Sequence, residues 1–295
     1  MEQKSVLIGM SGGVDSSVAA ALLKEQGYHV IGATMRLWTY SDSCNMKHEG
    51  CCAESAVEDA RRVCDKLGID FYVMNFKDMF KDKVVDYFVD EYIHGRTPNP
   101  CIACNKYLKF DALLKKALAM GIDYVATGHY AKIEKGEDGK YILRASEAVK
   151  KDQSYVLYNF TQEQLAHTLM PLGGYNKDWV RQKAEELGLG VAHKPDSQEI
   201  CFVEDDDYAK FITDYSGYEP KEGDILDVNG NVIGKHRGLI YYTIGQRKGI
   251  GAYGRPMFVM KIDAENNTIT LGEKGMEFSN ELKNCASIFP SFSLT

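Results

Sequence analysis

The sequence predicts an α/β fold, in which a parallel sheet with helices on both faces precedes a small helical region and a small β module. The first ~130 residues alternate short apolar runs with segments of helical periodicity, a pattern typical of βα units. Residues 151–217 read mostly as helix, and after Gly223 short alternating segments predict strands. We therefore expect three domains, spanning residues 1–150, 151–217 and 218–295.

The first domain contains four apolar runs followed by helical patterns. Its predicted strands are Ser5–Gly9, His29–Met35, Phe71–Asn75 and Tyr124–Thr127. Its predicted helices are Ser16–Gln26, Ala53–Leu67, Lys77–Ile93 and Lys106–Met120. The order of strands and helices predicts that ligands bind beyond the carboxyl ends of the strands, where residues 11–16, 35–36 and 128–129 would meet.

The rest of the chain changes from helices to hairpins. The predicted helices are Gln162–Met170, Lys177–Leu187 and Asp206–Tyr215, with a turn-rich loop at His193–Glu199. Asn229-Gly230 is a strong hairpin signal between Ile225–Val228 and Val232–Gly234. A second hairpin is predicted from Phe258–Ile262 and Thr268–Leu271, which flank a turn at Glu265–Asn267.

Composition places the chain among soluble globular proteins. It has 295 residues, of which 44% are hydrophobic and 26% charged, and no apolar run reaches the ~20 residues that span a bilayer. Its N-terminus shows no signal-peptide pattern, so we expect a cytoplasmic protein without a membrane partner. The net charge of −7 gives no global attraction to nucleic acid, although local basic faces such as Lys150-Lys151 would suffice.

The most informative segment is Gly-Met-Ser-Gly-Gly-Val-Asp-Ser at residues 9–16, between a predicted strand and a predicted helix. Backbone N–H groups at such a turn, together with the helix dipole, bind phosphate. The lysine of the usual mononucleotide-binding loop is missing, which disfavours γ-phosphoryl transfer. We interpret the turn as a cradle for pyrophosphate as a leaving group, and hence as a site of adenylation; a purely structural glycine turn is the alternative.

Three cysteines stand where a thiol could react. Cys101 and Cys104 form a Cys-x-x-Cys at the start of a predicted helix, whose N-terminus lowers a thiol pKa, and Cys201 follows the turn-rich loop. Buried structural cysteines are the alternative. Another group, Cys44, His48, Cys51 and Cys52, has zinc-ligand types but not the common spacing, so we expect unliganded loop cysteines.

Residues 11–16, Ser-Gly-Gly-Val-Asp-Ser, resemble the signature of the PP-loop ATP pyrophosphatase superfamily. With the cysteines, the chain resembles the tRNA-specific 2-thiouridylase (MnmA-like) family over residues 5–273. The motifs that carry this resemblance are residues 11–16, 97–110, 128–130, 151–155, 196–202 and 242–249. It implies an enzyme that adenylates the C2 oxygen of the wobble uridine with ATP and Mg²⁺, then replaces that oxygen with sulfur.

The resemblance also implies roles for individual residues. Those expected to bind ATP are Gly9, Met10, Ser11, Gly12, Gly13, Val14, Asp15, Ser16, Met35 and Gly128. Those expected to contact tRNA or its target base are Asn99, Pro100, Cys101, His129, Lys151, Asp152 and Gln153. Cys201 would carry a persulfide, and Cys104 would attack it or close a disulfide with it. The expected partners are a tRNA anticodon loop and a persulfide donor such as a cysteine desulfurase or sulfur-relay protein.

The sequence departs from the family pattern in two respects. Many members carry Asp where this chain has Cys101, so Cys101, Cys104 and Cys201 could instead hold a [4Fe-4S] cluster. The sequence also stops at Thr295, where the family usually continues into a further β-barrel, so we expect either a truncated or a naturally short form. From this we expect weaker and strongly salt-dependent tRNA binding.

Two other functions fit the glycine turn. A PP-loop ligase would adenylate a carboxylate and let ammonia displace AMP, but it would leave all three cysteines without a role. A catalytically inactive sulfur carrier or tRNA-binding module would not need Ser11, Asp15 and Ser16. Thiolation is the interpretation that uses both the turn and the cysteines.

Overall fold

The structure, a computed structural model, describes residues 3–38, 54–196, 200–203 and 206–276. The strands are β1 Ser5–Gly9, β2 His29–Arg36, β3 Asp70–Asn75, β4 Tyr124–Ala126, β5 Ala131–Lys135, β6 Tyr141–Ala145, β7 Thr168–Leu169, β8 Gly223–Leu226, β9 Val232–His236, β10 Met257–Asp263 and β11 Thr268–Glu273. The α-helices are α1 Val14–Glu25, α2 Glu54–Leu67, α3 Lys77–Phe80, α4 Asp86–Ile93, α5 Pro100–Ala103, α6 Leu113–Ala119, α7 Gln162–Ala166, α8 Lys177–Glu186 and α9 Tyr208–Ser216.

The described residues form two compact units. The first contains the described residues up to 85 and those from 100 to 202, and the second contains residues 86–99 and the described residues from 203 to 276. The division predicted from sequence, at residues 150 and 217, stays a prediction, and the compact units are separated at other points of the chain. Among the described residues, no helix combines the length and the apolar character that crossing a bilayer requires.

A five-stranded parallel sheet in the order β3-β2-β1-β4-β7 organises the first unit. The chain runs outward from β1 to β3 and then returns to place β4 on the other side of β1. This reversal creates a topological switch point between β1 and β4, and ligands bind at such points beyond the carboxyl ends of the strands. The predicted sheet and its four main strands are present, with ends that differ by one residue at three of them.

Helix α1 is packed into the core of this unit. Its nine buried residues include Ser16, Ser17 and Leu22, and the core cluster also contains Val6, Ile8 and residues of α8. Alanine and valine dominate the buried side of α1, which lets the helix lie close to the sheet. Because α1 is buried in this core, the glycine turn that precedes it is fixed at the edge of the sheet.

Three predicted helices differ from the observed ones. Residues 162–170, predicted as one helix, contain the short helix α7 and then strand β7, which pairs with β4. Thr161 is the N-cap of α7. The predicted helices over residues 77–93 and 106–120 are interrupted by π-helical segments at Lys81–Val85 and Cys104–Ala112. Such i→i+5 segments depend on surrounding packing rather than on residue periodicity.

The second unit contains a four-stranded sheet in the order β10-β11-β8-β9. Both predicted hairpins, β8–β9 and β10–β11, are antiparallel pairs, and β8 pairs with β11 in parallel. The β8–β9 turn carries Gly230 at φ +86°, and the Asp227 carboxylate accepts hydrogen bonds from the backbone N–H groups of Asn229 and Asn231. A separate apolar cluster around Ile225, Val259 and Leu271 forms the core of this sheet.

Candidate active site

The glycine-rich turn connects β1 directly to α1. Helix α1 begins at Val14, two residues earlier than predicted, so that Asp15 and Ser16 lie in its first turn. Gly13 occupies the N-cap position without a side-chain cap, which leaves backbone N–H groups of the first turn to bind an anion. Gly12 has φ +70°, and a Cβ atom there would lie 2.3 Å from the Ala56 carbonyl oxygen, so a larger residue does not fit.

Serine hydroxyls fix the shape of this turn. The Ser16 hydroxyl donates to the Gly13 carbonyl at 3.1 Å and accepts from the Ser11 backbone N–H at 3.2 Å. The Ser11 and Ser16 hydroxyl oxygens are 3.2 Å apart. These contacts hold the turn open without using most of its N–H groups.

A cavity of about 460 Å³ lies over the turn, at the carboxyl edge of the parallel sheet. Of the residues assigned to ATP or tRNA from the sequence, those that line it are Gly9, Met10, Ser11, Gly12, Gly13, Val14, Asp15, Ser16, Met35, Gly128, His129, Lys151 and Gln153. The assigned residues outside its lining are Asn99, Pro100, Cys101, Cys104, Asp152 and Cys201. The topology thus gathers segments that are more than 100 residues apart in sequence.

The cavity has walls of different character. On the β2 side it is lined by Ala33, Met35 and Leu37, which offer an apolar surface. On the β4 side it is lined by Gly128, His129 and Tyr130, and beyond them by charged residues of later segments. An adenine ring suits the apolar wall, and phosphates suit the glycine turn and the charged wall.

A network of ion pairs occupies the charged wall. The Lys177 ammonium lies 2.8 Å from both carboxylate oxygens of Asp15 and 2.7 Å from Asp196 Oδ1. Asp196 also accepts from Lys151 at 3.0 Å and from Arg181 at 3.1 Å. Burial opposes the ionisation of Asp196, but the hydrogen bonds from Lys177 and Lys151 outweigh it and lower the pKa of this carboxyl group.

Sequence reasoning gave no role to Lys177, Lys194, Tyr130 or Asp196, although Tyr130 and Asp196 lie in the motifs at residues 128–130 and 196–202. The Lys194 ammonium donates to the Gly12 carbonyl at 3.1 Å and to Asp59 at 2.9 Å, and so supports the turn. The Tyr130 hydroxyl donates to Asp15 at 2.7 Å, and burial together with this carboxylate raises the pKa of Tyr130. The sequence did contain one signal for such residues. The turn itself has no lysine, so a cation that faces bound phosphates has to come from another part of the chain.

The segment at residues 151–153 is held beside the cavity by its neighbours. The Gln153 amide oxygen accepts from the Tyr130 backbone N–H at 3.0 Å, and the Gln153 N–H donates to the Tyr130 carbonyl at 2.9 Å. Asp152 accepts from the Ser146 backbone N–H and the Ser154 hydroxyl. Asp152 thus shapes the loop, while Lys151 and Gln153 line the cavity.

His129 is partly buried beside Phe110, with its Nδ1 2.7 Å from the Thr127 hydroxyl. Burial, assisted by the charge of Lys109, holds the pKa of His129 well below 6.5. The imidazole is therefore neutral at physiological pH.

This neutral histidine predicts a pH dependence of stability. Below pH 6.5 the unfolded chain binds a proton at His129 that the folded chain does not, so the free energy of unfolding falls as pH falls. The expected slope is at most about 1.4 kcal/mol per pH unit. Urea unfolding between pH 6.5 and 5 measures it, and His129→Gln should remove this contribution; an identical slope in the variant would contradict the assignment.

The three cysteines differ in exposure. Cys101, in the first turn of α5, and Cys201 are exposed, whereas Cys104 is buried at the start of the π-helical segment. Within the part of the chain that the structure describes, no three His, Cys, Asp or Glu residues form a group that could hold a metal ion. The alternative of a cluster on Cys101, Cys104 and Cys201 therefore has no assembled ligand set here. Cys44, His48, Cys51 and Cys52 lie outside the described residues.

Two family models match the chain, described as a tRNA methyl transferase HUP domain over residues 4–205 and a tRNA methyl transferase PRC-barrel domain over residues 209–273. A tRNA-specific 2-thiouridylase MnmA of Clostridioides difficile is 61% identical over 95% of this chain and 78% of its own length. Its counterpart in Acetivibrio thermocellus is 60% identical over 96% of this chain and 79% of its own length. The chain belongs to the tRNA-specific 2-thiouridylase family.

Membership in the 2-thiouridylase family confirms the resemblance found in the sequence and the prediction of an enzyme of tRNA thiolation. The α/β sheet followed by a small β module likewise agrees with the order of the HUP and PRC-barrel models. The model descriptions name a methyl transferase, but the curated relatives, at about 60% identity over nearly the whole chain, are named 2-thiouridylases.

Solved structures give more distant matches. A 4-thiouridine synthetase in complex with RNA and ATP reaches a TM-score of 0.43 at 19% identity, covering 68% of this chain and 45% of that chain. The NMN synthetase of Francisella tularensis reaches 0.41 at 17% identity, covering 74% of this chain and 79% of that chain.

Proposed function

We propose that this 2-thiouridylase family member is an ATP-dependent tRNA-uridine 2-sulfurtransferase that acts on the wobble uridine and produces 2-thiouridine, AMP and pyrophosphate. The observation that carries the proposal is the uncapped glycine turn at the start of α1, which opens into a cavity with one apolar and one cationic wall. This arrangement suits a nucleotide whose pyrophosphate leaves, and family membership points to a tRNA uridine as the acceptor.

The first step is adenylation. With the adenine against Met35 and the phosphates on residues 9–16, the uridine C2 oxygen attacks the α-phosphorus. The bond from this phosphorus to the β-phosphate oxygen breaks, and pyrophosphate leaves. A uracil carbonyl oxygen is a poor leaving group, so its conversion to an adenylate makes the later substitution feasible.

Magnesium fits this site as an ion brought in with the nucleotide. Mg²⁺ is commonly held by one or two carboxylates together with substrate phosphates. Asp15 is the carboxylate within the glycine turn and would hold the ion there. When bound, Mg²⁺ would neutralise charge that develops on the departing pyrophosphate.

The second step is sulfur transfer by the cysteines. The terminal sulfur of a persulfide on Cys201 bonds to C2, the C2–O bond breaks, and AMP leaves. The Cys104 thiolate then attacks the Cys201 sulfur, which releases 2-thiouridine and leaves a Cys104–Cys201 disulfide. A thiol reductant must reopen this disulfide for the next turnover.

The exposure of the cysteines supports this division of roles. Cys201 must meet the protein that donates sulfur, and it is exposed. Cys104 acts only after the persulfide has reacted, and its burial shields it from side reactions until then. The donor would be a cysteine desulfurase or a sulfur-relay protein.

The tRNA would approach the open side of the cavity. Lys151, Gln153 and His129 line it, which supports a role for them in contacting the anticodon loop. The family resemblance implies contact of Asn99, Pro100 and Cys101 with the target base. Bases of an anticodon loop are already unpaired, so bringing one into the cavity costs little. We expect the enzyme to act in the cytoplasm, where its tRNA substrate is.

The test combines purified protein with unmodified tRNA, ATP, Mg²⁺, a cysteine desulfurase with cysteine as the persulfide donor, and a thiol reductant, followed by mass analysis of the anticodon nucleosides. We expect 2-thiouridine with equal amounts of AMP and pyrophosphate, all dependent on tRNA. AMP formation that requires ammonia instead of sulfur would support an amidating ligase. Absence of any ATP turnover would support a sulfur carrier or tRNA-binding module.

A further inference from the structure

Lys177 is a charged residue of the cavity for which neither the sequence motifs nor the family resemblance supplies a role. It is the first residue of α8, and its side chain is only 13% exposed. Burial of an ammonium group costs free energy unless nearby carboxylates compensate. Asp15 and Asp196 provide that compensation, so a buried cation is maintained beside the glycine turn.

The departure of pyrophosphate at the glycine turn requires a nearby cation such as the Lys177 ammonium. In the usual mononucleotide-binding loop a lysine of the loop reaches the β- and γ-phosphates. Residues 9–16 contain no lysine, although negative charge must grow on the pyrophosphate as its bond to the α-phosphorus breaks. A preorganised cation at that position would stabilise the transition state more than the bound substrate.

The cavity lining contains four lysines, and their contacts separate them. Lys194 bonds to the Gly12 carbonyl and to Asp59, so it supports the turn from behind. Lys151 pairs with Asp196 and is 43% exposed, which suits contact with a large substrate. The positive charge of Lys109 contributes to the lowered pKa of His129. Lys177 is bonded to the carboxylate of the turn itself.

Asp15 and Asp196 hold the Lys177 ammonium from two directions. Asp15 has a second donor, the Tyr130 hydroxyl, and Asp196 has two more, Lys151 and Arg181. Neither carboxylate is left without a partner if Lys177 turns one of its N–H groups toward a phosphate. The network is therefore able to release one bond of Lys177 while keeping its position.

We propose that Lys177 binds the β- and γ-phosphates of ATP and stabilises pyrophosphate as it leaves. The ammonium exchanges one hydrogen bond to Asp15 for one to a phosphate oxygen; it stays protonated and forms no covalent bond. This inference rests on the proposed function, for which it names a further catalytic residue. It supplies from α8 the charge that the glycine turn lacks.

The test compares the binding of ATP and AMP by titration calorimetry in the wild type, Lys177→Gln and Lys183→Gln. Lys177→Gln should weaken ATP binding about 10- to 100-fold, the loss of one charge-assisted hydrogen bond. AMP binding should stay the same, because AMP lacks the phosphates in question. Lys183 lies on the same helix and pairs with Glu25, so Lys183→Gln should leave both affinities unchanged.

A second measurement follows tRNA-dependent pyrophosphate release at saturating ATP. The turnover rate should fall in Lys177→Gln and recover in part in Lys177→Arg, which retains the charge. If Lys177→Gln does not fold, the double variant Lys177→Gln/Asp196→Asn removes one charge of each sign and permits the same comparison. Thermal melting shows whether the single variant is folded, and the double variant replaces it if it is not.

Equal losses of ATP and AMP affinity, or no loss of either, would overturn the assignment of Lys177. The proposed function fails separately. If Lys177→Gln selectively loses ATP affinity, yet the wild-type enzyme forms no 2-thiouridine with tRNA, the persulfide donor and a thiol reductant, this inference stands and thiolation is refuted.

Discussion

Cys201→Ser is expected to lose tRNA thiolation by more than about 1,000-fold, as enzymes do when an essential nucleophile is removed. Pyrophosphate release that depends on tRNA should remain measurable in this variant, because adenylation uses the cavity and Cys201 does not line it. A serine hydroxyl cannot carry a persulfide sulfur. Mass analysis of the tRNA nucleosides, with a pyrophosphate assay on the same sample, separates the two steps.

Cys101→Ser serves as the comparison for Cys201→Ser. Cys101 and Cys201 are the exposed cysteines in the described part of the chain. After incubation with a persulfide donor, peptide mass analysis should find the added sulfur on Cys201 in the wild type and in Cys101→Ser. A normal yield of 2-thiouridine from Cys201→Ser would refute the persulfide relay.

Gly128→Ala is expected to reduce pyrophosphate release by about 100-fold, the effect of displacing reacting groups by about 1 Å. A Cβ atom on Gly128 would lie 2.7 Å from the Ser16 backbone nitrogen and 2.8 Å from the Asp15 carbonyl carbon. Both neighbours are backbone atoms of the glycine turn, so the turn itself must move. Overpacking of this kind also lowers the free energy of unfolding by about 1–3 kcal/mol.

Gly174→Ala is the matched control for Gly128→Ala. Gly174 does not line the cavity, and a Cβ atom there would have no neighbour within 4 Å. Pyrophosphate release and thermal melting should therefore change much less in Gly174→Ala. Near-normal activity and melting of Gly128→Ala would show that the contact between the β4 loop and the turn is unimportant.

The strands of the parallel sheet and the glycine turn were predictable from sequence because their signals are local. Val6, Leu7 and Ile8 form a short apolar run whose length and β-branched residues favour a buried strand, and all three are fully buried. The Asn229-Gly230 hairpin was predictable for the same reason, since Gly230 adopts the positive φ that such a turn requires. Family membership, too, rested on motifs read directly from the chain.

Other elements depended on packing. The β5–β6 hairpin was not predicted, although Asp138-Gly139 offered a turn signal with Gly139 at φ +81°. Strand β7 follows α7 within a segment whose periodicity is helical, and pairing with β4 decides its conformation. The roles proposed for individual residues of the site stay predictions until the variants are measured.

The amino-acid sequence by itself determined the α/β class, the glycine-rich turn at residues 9–16 and the cysteines for which sulfur chemistry is proposed. Only the tertiary structure decided which charges accompany that turn. Lys177 meets Asp15 because α8 packs within the core that also contains α1, and Asp196, in the loop that follows α8, pairs with Lys177. An ion pair between residues so distant in the chain has no local pattern, since it depends on where two packed helices place their first turns.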